Sequence, residues 1–142
     1  MTLQIYGLDR EAQKLVLQAR SLDADNSQNG SLCIQEAYKM RETIAYGLER
    51  FWGEHLRNRH KEPRKSAYWK ATWDKLVEIM DKADIKLPND SNIELTTQKL
   101  WGEIPVVEGN PKTKLSSNDQ RIALAVLTQL CDCLVWWTQR YK

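Results

Sequence analysis

The stretch that most constrains what this chain can fold into is its last, Ser116 to Tyr141, which reads SSNDQRIALAVLTQLCDCLVWWTQRY. Between Ile122 and Trp137 the strongly polar residues are Thr128, Gln129 and Asp132. A surface helix of that length carries a wider polar face, so the composition predicts a helix covered on more than one side. Ser117 with Gln120 three residues on has the spacing of a capping box and marks its start. A chain that ends this way must supply other helices to bury that segment.

It does so in order. Leu8-Asp9 opens a helix predicted to run to about Leu22, with Ala12, Leu15, Val16, Ala19 and Leu22 at helical spacing. Asp23 to Ser31 has turn chemistry at nearly every position and reads as an exposed loop. From Leu32 a single long helix is predicted to about Glu62, with Cys33, Ala37, Met40, Ile44, Leu48, Phe51, Trp52 and His55 on one face and Pro63 ending it. A third helix spans about Arg64 to Ala83 on Trp69, Trp73, Leu76, Val77 and Met80. Ser91 with Glu94 suggests a second capping box and a short fourth helix ending before Pro105. The loop Pro105 to Ser116 leads into the last helix. No strand-length alternation appears apart from the short Ile104 to Val107. The expectation is an all-α fold, a compact four- to five-helix bundle with the C-terminal helix central, forming a single domain over residues 1–142.

At 142 residues one core suffices, and 21 lysines and arginines against 19 acids give a net charge of only +2, so any electrostatic message lies in distribution. Three cysteines, Cys33, Cys131 and Cys133, and no charged-then-apolar leader at Met1 argue against a secreted disulfide scaffold and for a reducing, cytoplasmic setting. The apolar run of the last helix, interrupted by Asp132, reads as too short for a membrane span, so no membrane partner is expected. Six tryptophans stand beside a single phenylalanine, Phe51. Most belong in a core, and one of the adjacent Trp136 and Trp137, which cannot easily point the same way, is the candidate to face a partner.

Charge concentrates between Arg50 and Lys70. There Arg50, Arg57, Arg59, Lys61, Arg64, Lys65 and Lys70 face only Glu54 and Glu62, with Trp52, Tyr68 and Trp69 interleaved. A basic corner with aromatics is the pattern of a surface that tracks phosphates and stacks bases. Cations at helix ends also serve solubility and the helix dipole, which is the competing reading. Lys112 and Lys114, in the loop before the last helix, form a second and weaker basic pair, with Arg121 beyond them.

No cofactor or metal site is expected. His55 and His60 are five residues apart and point about 140° from each other around a helix, with no cysteine or paired carboxylates beside them. Cys131 and Cys133, two apart, do not make a CxxC pair, and no phosphate-cradling glycine loop is present. An enzymatic reading therefore rests on Arg50 and His55. Their R-x4-H spacing resembles the motif of the HEPN ribonucleases, which implies metal-independent RNA cleavage, with His55 moving the proton and Arg50 stabilising the phosphorane-like charge. Phe51 stands where that family usually carries a polar residue.

A second resemblance lies in the final helix. Arg121, Ala123 to Leu127, Leu134 to Trp137 and Arg140 form a pattern similar to the closing helix of the small helical subunits of multi-subunit, Cascade-type CRISPR surveillance complexes. The resemblance covers about 25 residues. It implies a non-catalytic subunit of an antiviral ribonucleoprotein complex, in contact with other subunits and copies of itself. Such a subunit supports the guide RNA–target duplex or the displaced strand through basic residues, here Arg57, Arg59, Lys61, Arg64, Lys65 and Lys70, with Lys112 and Lys114 second. A third reading is a helical adaptor that binds only protein through exposed tryptophans.

Overall fold

A computed structural model describes residues 7–24 and 32–141. The fold is all-α: six α-helices and three 3-10 turns, with no strand, among the described residues. The helices are α1 (Leu8–Ala24), α2 (Glu36–Thr43), α3 (Leu48–Asn58), α4 (Pro63–Lys82), α5 (Ile93–Leu100) and α6 (Ser117–Tyr141). α1 buries the predicted stripe of Leu8, Ala12, Leu15, Val16 and Ala19. At its end the Asp23 carboxylate accepts hydrogen bonds from the backbone N–H groups of Cys33, at 2.6 Å, and Ile34, at 3.0 Å. These are orphan donors at the start of the 3-10 turn Cys33–Gln35, so Asp23 fixes where the next segment begins. Most of the expected loop, residues 25–31, lies outside the described residues.

The helix count differs from the expected four or five because the long second helix does not exist. It divides into α2, a 3-10 turn at Ile44–Tyr46, and α3. The break is at Gly47, whose φ of 102° is a conformation that side-chain-bearing residues rarely adopt. Ile44 and Leu48 are both buried, so the apolar spacing ran through a position where the backbone turns.

Two predicted starts also move. α5 is capped by Asn92, whose side-chain oxygen accepts from Leu95 N–H at 2.9 Å, in place of Ser91. It ends at Leu100 and not near Ile104. There Gly102, at φ 76°, allows the Schellman bond from Glu103 N–H to Gln98 C=O. α6 begins with a capping box one residue earlier than expected: Ser116 Oγ accepts from Asp119 N–H and Asp119 Oδ2 accepts from Ser116 N–H.

α6 packs on α1, α2 and α4, α3 packs on α4, and α5 on α3. The seam between α3 and α4 is aromatic, with Phe51 4.9 Å from Trp69 and 6.3 Å from Trp73, ring centre to ring centre. Trp52, Trp69, Trp73 and Tyr68 are all buried. Trp73 Nε1 donates to Pro88 C=O and Trp69 Nε1 to Glu36 Oε1, each at 3.0 Å, so both indoles are anchored by polar bonds as well as by area. α6 keeps an outward stripe of Ile122, Ala125, Asp132, Trp136 and Arg140. By length and composition α6 is long and apolar enough to cross a membrane, a property the apolar run alone had not suggested.

Candidate nucleic-acid interface

The turn from α3 into α4 carries the nominated basic residues. Its backbone is closed by Arg59 N–H to Leu56 C=O and Glu62 N–H to Asn58 C=O, and Ser66 N–H continues to Glu62 C=O. Ser66 Oγ donates to the His55 carbonyl at 2.6 Å and Asn58 Nδ2 to the Glu54 carbonyl. Pro63 opens α4, where its missing N–H costs nothing. A rigid turn therefore presents whatever side chains point outward from it.

Those side chains divide into three kinds. Arg59 and Lys61 are exposed and form no ion pair among the described residues. Arg57 is exposed and donates to Glu54 at 2.8 Å, a surface pair of small worth that a phosphate can displace. Lys65 and Lys70 are committed inward or along the helix. Lys65 is only 6 % exposed, lying 2.9 Å from Glu62 and 3.9 Å from Glu36, and Lys70 pairs with Asp74. Arg64 is half-buried. The helix dipole accounts for Arg57, at the negative end of α3, but not for Arg64 and Lys65, which sit at the positive end of α4. For Lys65 burial lowers the pKa, but the hydrogen bond to Glu62 and the neighbouring Glu36 carboxylate together outweigh it and leave the pKa raised.

The aromatic half of the expected pattern is absent from this surface. Trp52, Tyr68 and Trp69 all point into the core, leaving the turn charged without a stacking platform. The large exposed aromatics are elsewhere: Tyr46 before the Gly47 break, Trp101 after α5, and Trp136 on α6.

Lys112 and Lys114 do not extend the basic turn. Both are exposed, and Lys112 lines a cleft with Asp84, Lys86 and Asp119, just beyond the C-terminal end of α4. α4 has 20 residues, so at 1.5 Å per residue the two basic groups lie about 30 Å apart along its axis.

Arg50 and His55 are not brought to one face. Arg50 is exposed, while His55 is 9 % exposed, edge-on to Trp52 at 5.4 Å, with Nδ1 at 2.5 Å from the Trp52 carbonyl. That carbonyl accepts, so Nδ1 carries the hydrogen. Burial lowers the His55 pKa and favours a neutral ring, an effect that the bond to the Trp52 carbonyl partly offsets. The three cysteines are buried thiols. Burial, then Asp23, pushes Cys33 up to about 12, and burial, then Asp9, does the same for Cys133. Neither forms the thiolate needed for attack or metal binding near neutral pH. Among the described residues no group of histidine, cysteine and carboxylates is placed to hold a metal.

Sequence reasoning missed the buried contact between Glu36 and Lys65, since helical spacing alone does not reveal which polar residues face inward. No family model matches this chain, and neither a curated protein nor a solved structure matches it.

Proposed function

We propose that this chain is a non-catalytic small subunit of a multi-subunit, RNA-guided CRISPR-type complex. In this reading it is a cytoplasmic bundle organised around α6 that touches a nucleic-acid backbone without reading sequence. Arg57, Arg59 and Lys61 make the principal contacts, with Arg64 beside them and Lys112 and Lys114 as a second group. Lys65 and Lys70 contribute to the local field from paired positions. Guide pairing elsewhere in the complex supplies specificity.

The observation that carries the proposal is the exposure of Arg57, Arg59 and Lys61 on a rigid turn whose aromatic side chains are all buried. Cations without a stacking surface or an assembled acid–base pair suit phosphate contact better than base readout or chemistry. The likeness of the last helix to the small CRISPR subunits directs the choice of complex.

The test is fluorescence anisotropy with a guide RNA–target duplex and with single strands, across a salt series. Replacing Arg57, Arg59 and Lys61 together by Glu should weaken binding and lower the slope of log K against log salt by about 2, from roughly 0.7 per lost single-strand phosphate contact. Unchanged affinity and slope would refute the proposal. The ribonuclease reading makes the opposite demand. Metal-independent RNA cleavage that disappears in His55→Ala would replace a binding role with a catalytic one, although the burial of His55 away from Arg50 weighs against it.

A further inference from the structure

α5 buries Thr96 and Leu100 but leaves Ile93 60 % exposed and Leu95 43 % exposed. A helix that served only the core would bury the isoleucine before the threonine. Trp101 and Val107, just beyond its end, are exposed as well. Four of the nine large apolar side chains exposed among the described residues therefore fall between Ile93 and Val107. Single apolar residues are ordinary on a surface, whereas such a cluster marks a contact site.

Within this cluster a cleft of about 300 Å³ is lined by Leu95, Lys99, Ile104, Pro105, Glu108 and Gly109. One wall is α5 and the other is the loop that follows it. The loop is held in place by Thr113: Val107 N–H donates to its Oγ1 at 2.9 Å, and that hydroxyl donates to the Asn110 carbonyl at 2.7 Å. On the helix side the Lys99 ammonium lies 2.6 Å from Asp90, so the one lysine of the lining has its charge already matched. The cleft is a formed surface with apolar walls.

The charge left over is negative. From Asp90 to Asn110 four acids stand against Lys99 alone, in a chain whose net charge is +2. With Asp90 taken by Lys99, the acids that remain are Glu94, Glu103 and Glu108, all exposed and without an ion pair among the described residues. Glu94, in the first turn of α5, complements the positive end of the helix. Glu103 has no such reason, because it follows the C-terminal end, where a carboxylate meets partial negative charge. Glu108 belongs to the cleft lining itself. The next cations along the chain are Lys112 and Lys114, and Lys112 lines the separate cleft beyond α4.

We propose that this cleft docks a short basic segment of a protein partner. A leucine-sized side chain fills it between Leu95 and Pro105, and flanking lysines or arginines meet Glu108 and Glu103, the chain neighbour of Ile104. Apolar walls and unpaired carboxylates together fix the occupant: the glutamates repel a phosphate backbone, and a basic segment without an apolar anchor leaves the walls in water. The inference does not rest on the nucleic-acid reading, because the basic turn between α3 and α4 takes no part in it.

The experiment follows the backbone amide resonances of the full chain by NMR. The probes are acetyl-Lys-Leu-Leu-Lys-amide, the counterparts with both lysines replaced by glutamate or both leucines by alanine, and a short oligonucleotide. The lysine–leucine peptide should give saturable shifts of Leu95, Lys99, Glu108 and Gly109, binding at least about fivefold tighter than either counterpart. Glu103→Gln combined with Glu108→Gln, both at exposed sites, should weaken that peptide about fivefold, while the indole Nε1–H signals stay in place and report an intact fold. Equal binding of the alanine or glutamate peptide, indifference to the double variant, or shifts at this cleft caused by the oligonucleotide in place of the peptide would overturn the proposal.

Discussion

Lys65 shows how a residue picked out by charge alone can be held by the core. Its ammonium lies beside Glu36, which is 4 % exposed and also accepts from Trp69 Nε1 at 3.0 Å. Lys65→Met would leave the Glu36 carboxylate buried without its ammonium neighbour. The expected cost is about 3 kcal/mol, the scale for breaking one side of a buried pair, and hence a fall in Tm of roughly 10 °C. Adding Glu36→Gln should recover much of that loss, because the stranded charge is then removed. Urea denaturation of the two single variants and the double variant measures the coupling, and strictly additive losses would show that the pair is not interacting.

His55 makes a second prediction at this scale, from pH. Its folded pKa is lowered by burial, while in the unfolded chain it titrates near 6.5. Below about pH 6.5 the unfolded state therefore binds a proton that the folded state resists, so stability is full above that pH and declines as pH falls toward 5. In His55→Gln the decline over this window should flatten. His60 remains as the exposed comparison.

At the scale of elements, apolar periodicity located the cores of the helices well and their ends poorly. The stripe of α1 and the aromatic positions Trp69 and Trp73 of α4 were legible because side chains three and four apart must share a face. Where helices stop depends on single backbone conformations and on which side chain reaches an orphan N–H. Ser116 outcompeted Ser117, and Asn92 outcompeted Ser91, by geometry that spacing does not encode. Gly47 is the largest case. Its left-handed φ of 102° makes Gly47→Ala strained, with an expected loss of about 1–2 kcal/mol. Gly53, six residues on within α3, has open space where a Cβ would go. Gly53→Ala should stabilise by about 0.5–1 kcal/mol by raising helix propensity. Opposite signs for these two changes in thermal unfolding would confirm that the break, and not glycine as such, is built into the fold. A continuous α2–α3 helix would instead be stabilised by both.

For the whole molecule, the sequence exposed a basic region without saying which of its cations face outward, because linear charge density does not distinguish Arg59 from Lys65. Nor could it separate the two basic groups, which the length of α4 sets about 30 Å apart. That spacing exceeds the Debye length of about 8 Å at physiological salt several-fold, so the groups act as independent sites. If both touch one nucleic acid, reversing Arg57, Arg59 and Lys61 and reversing Lys112 and Lys114 should each lower the salt slope, the second by up to about 1.4 for single strands. The combined variant should then lose the sum of the two. A strand too short to span α4 should respond to one group only, because it reaches one end at a time. Additive losses on a long strand and single-group dependence on a short one would identify a backbone track running along α4. Dependence on the turn alone at every length would confine the contact to the junction of α3 and α4.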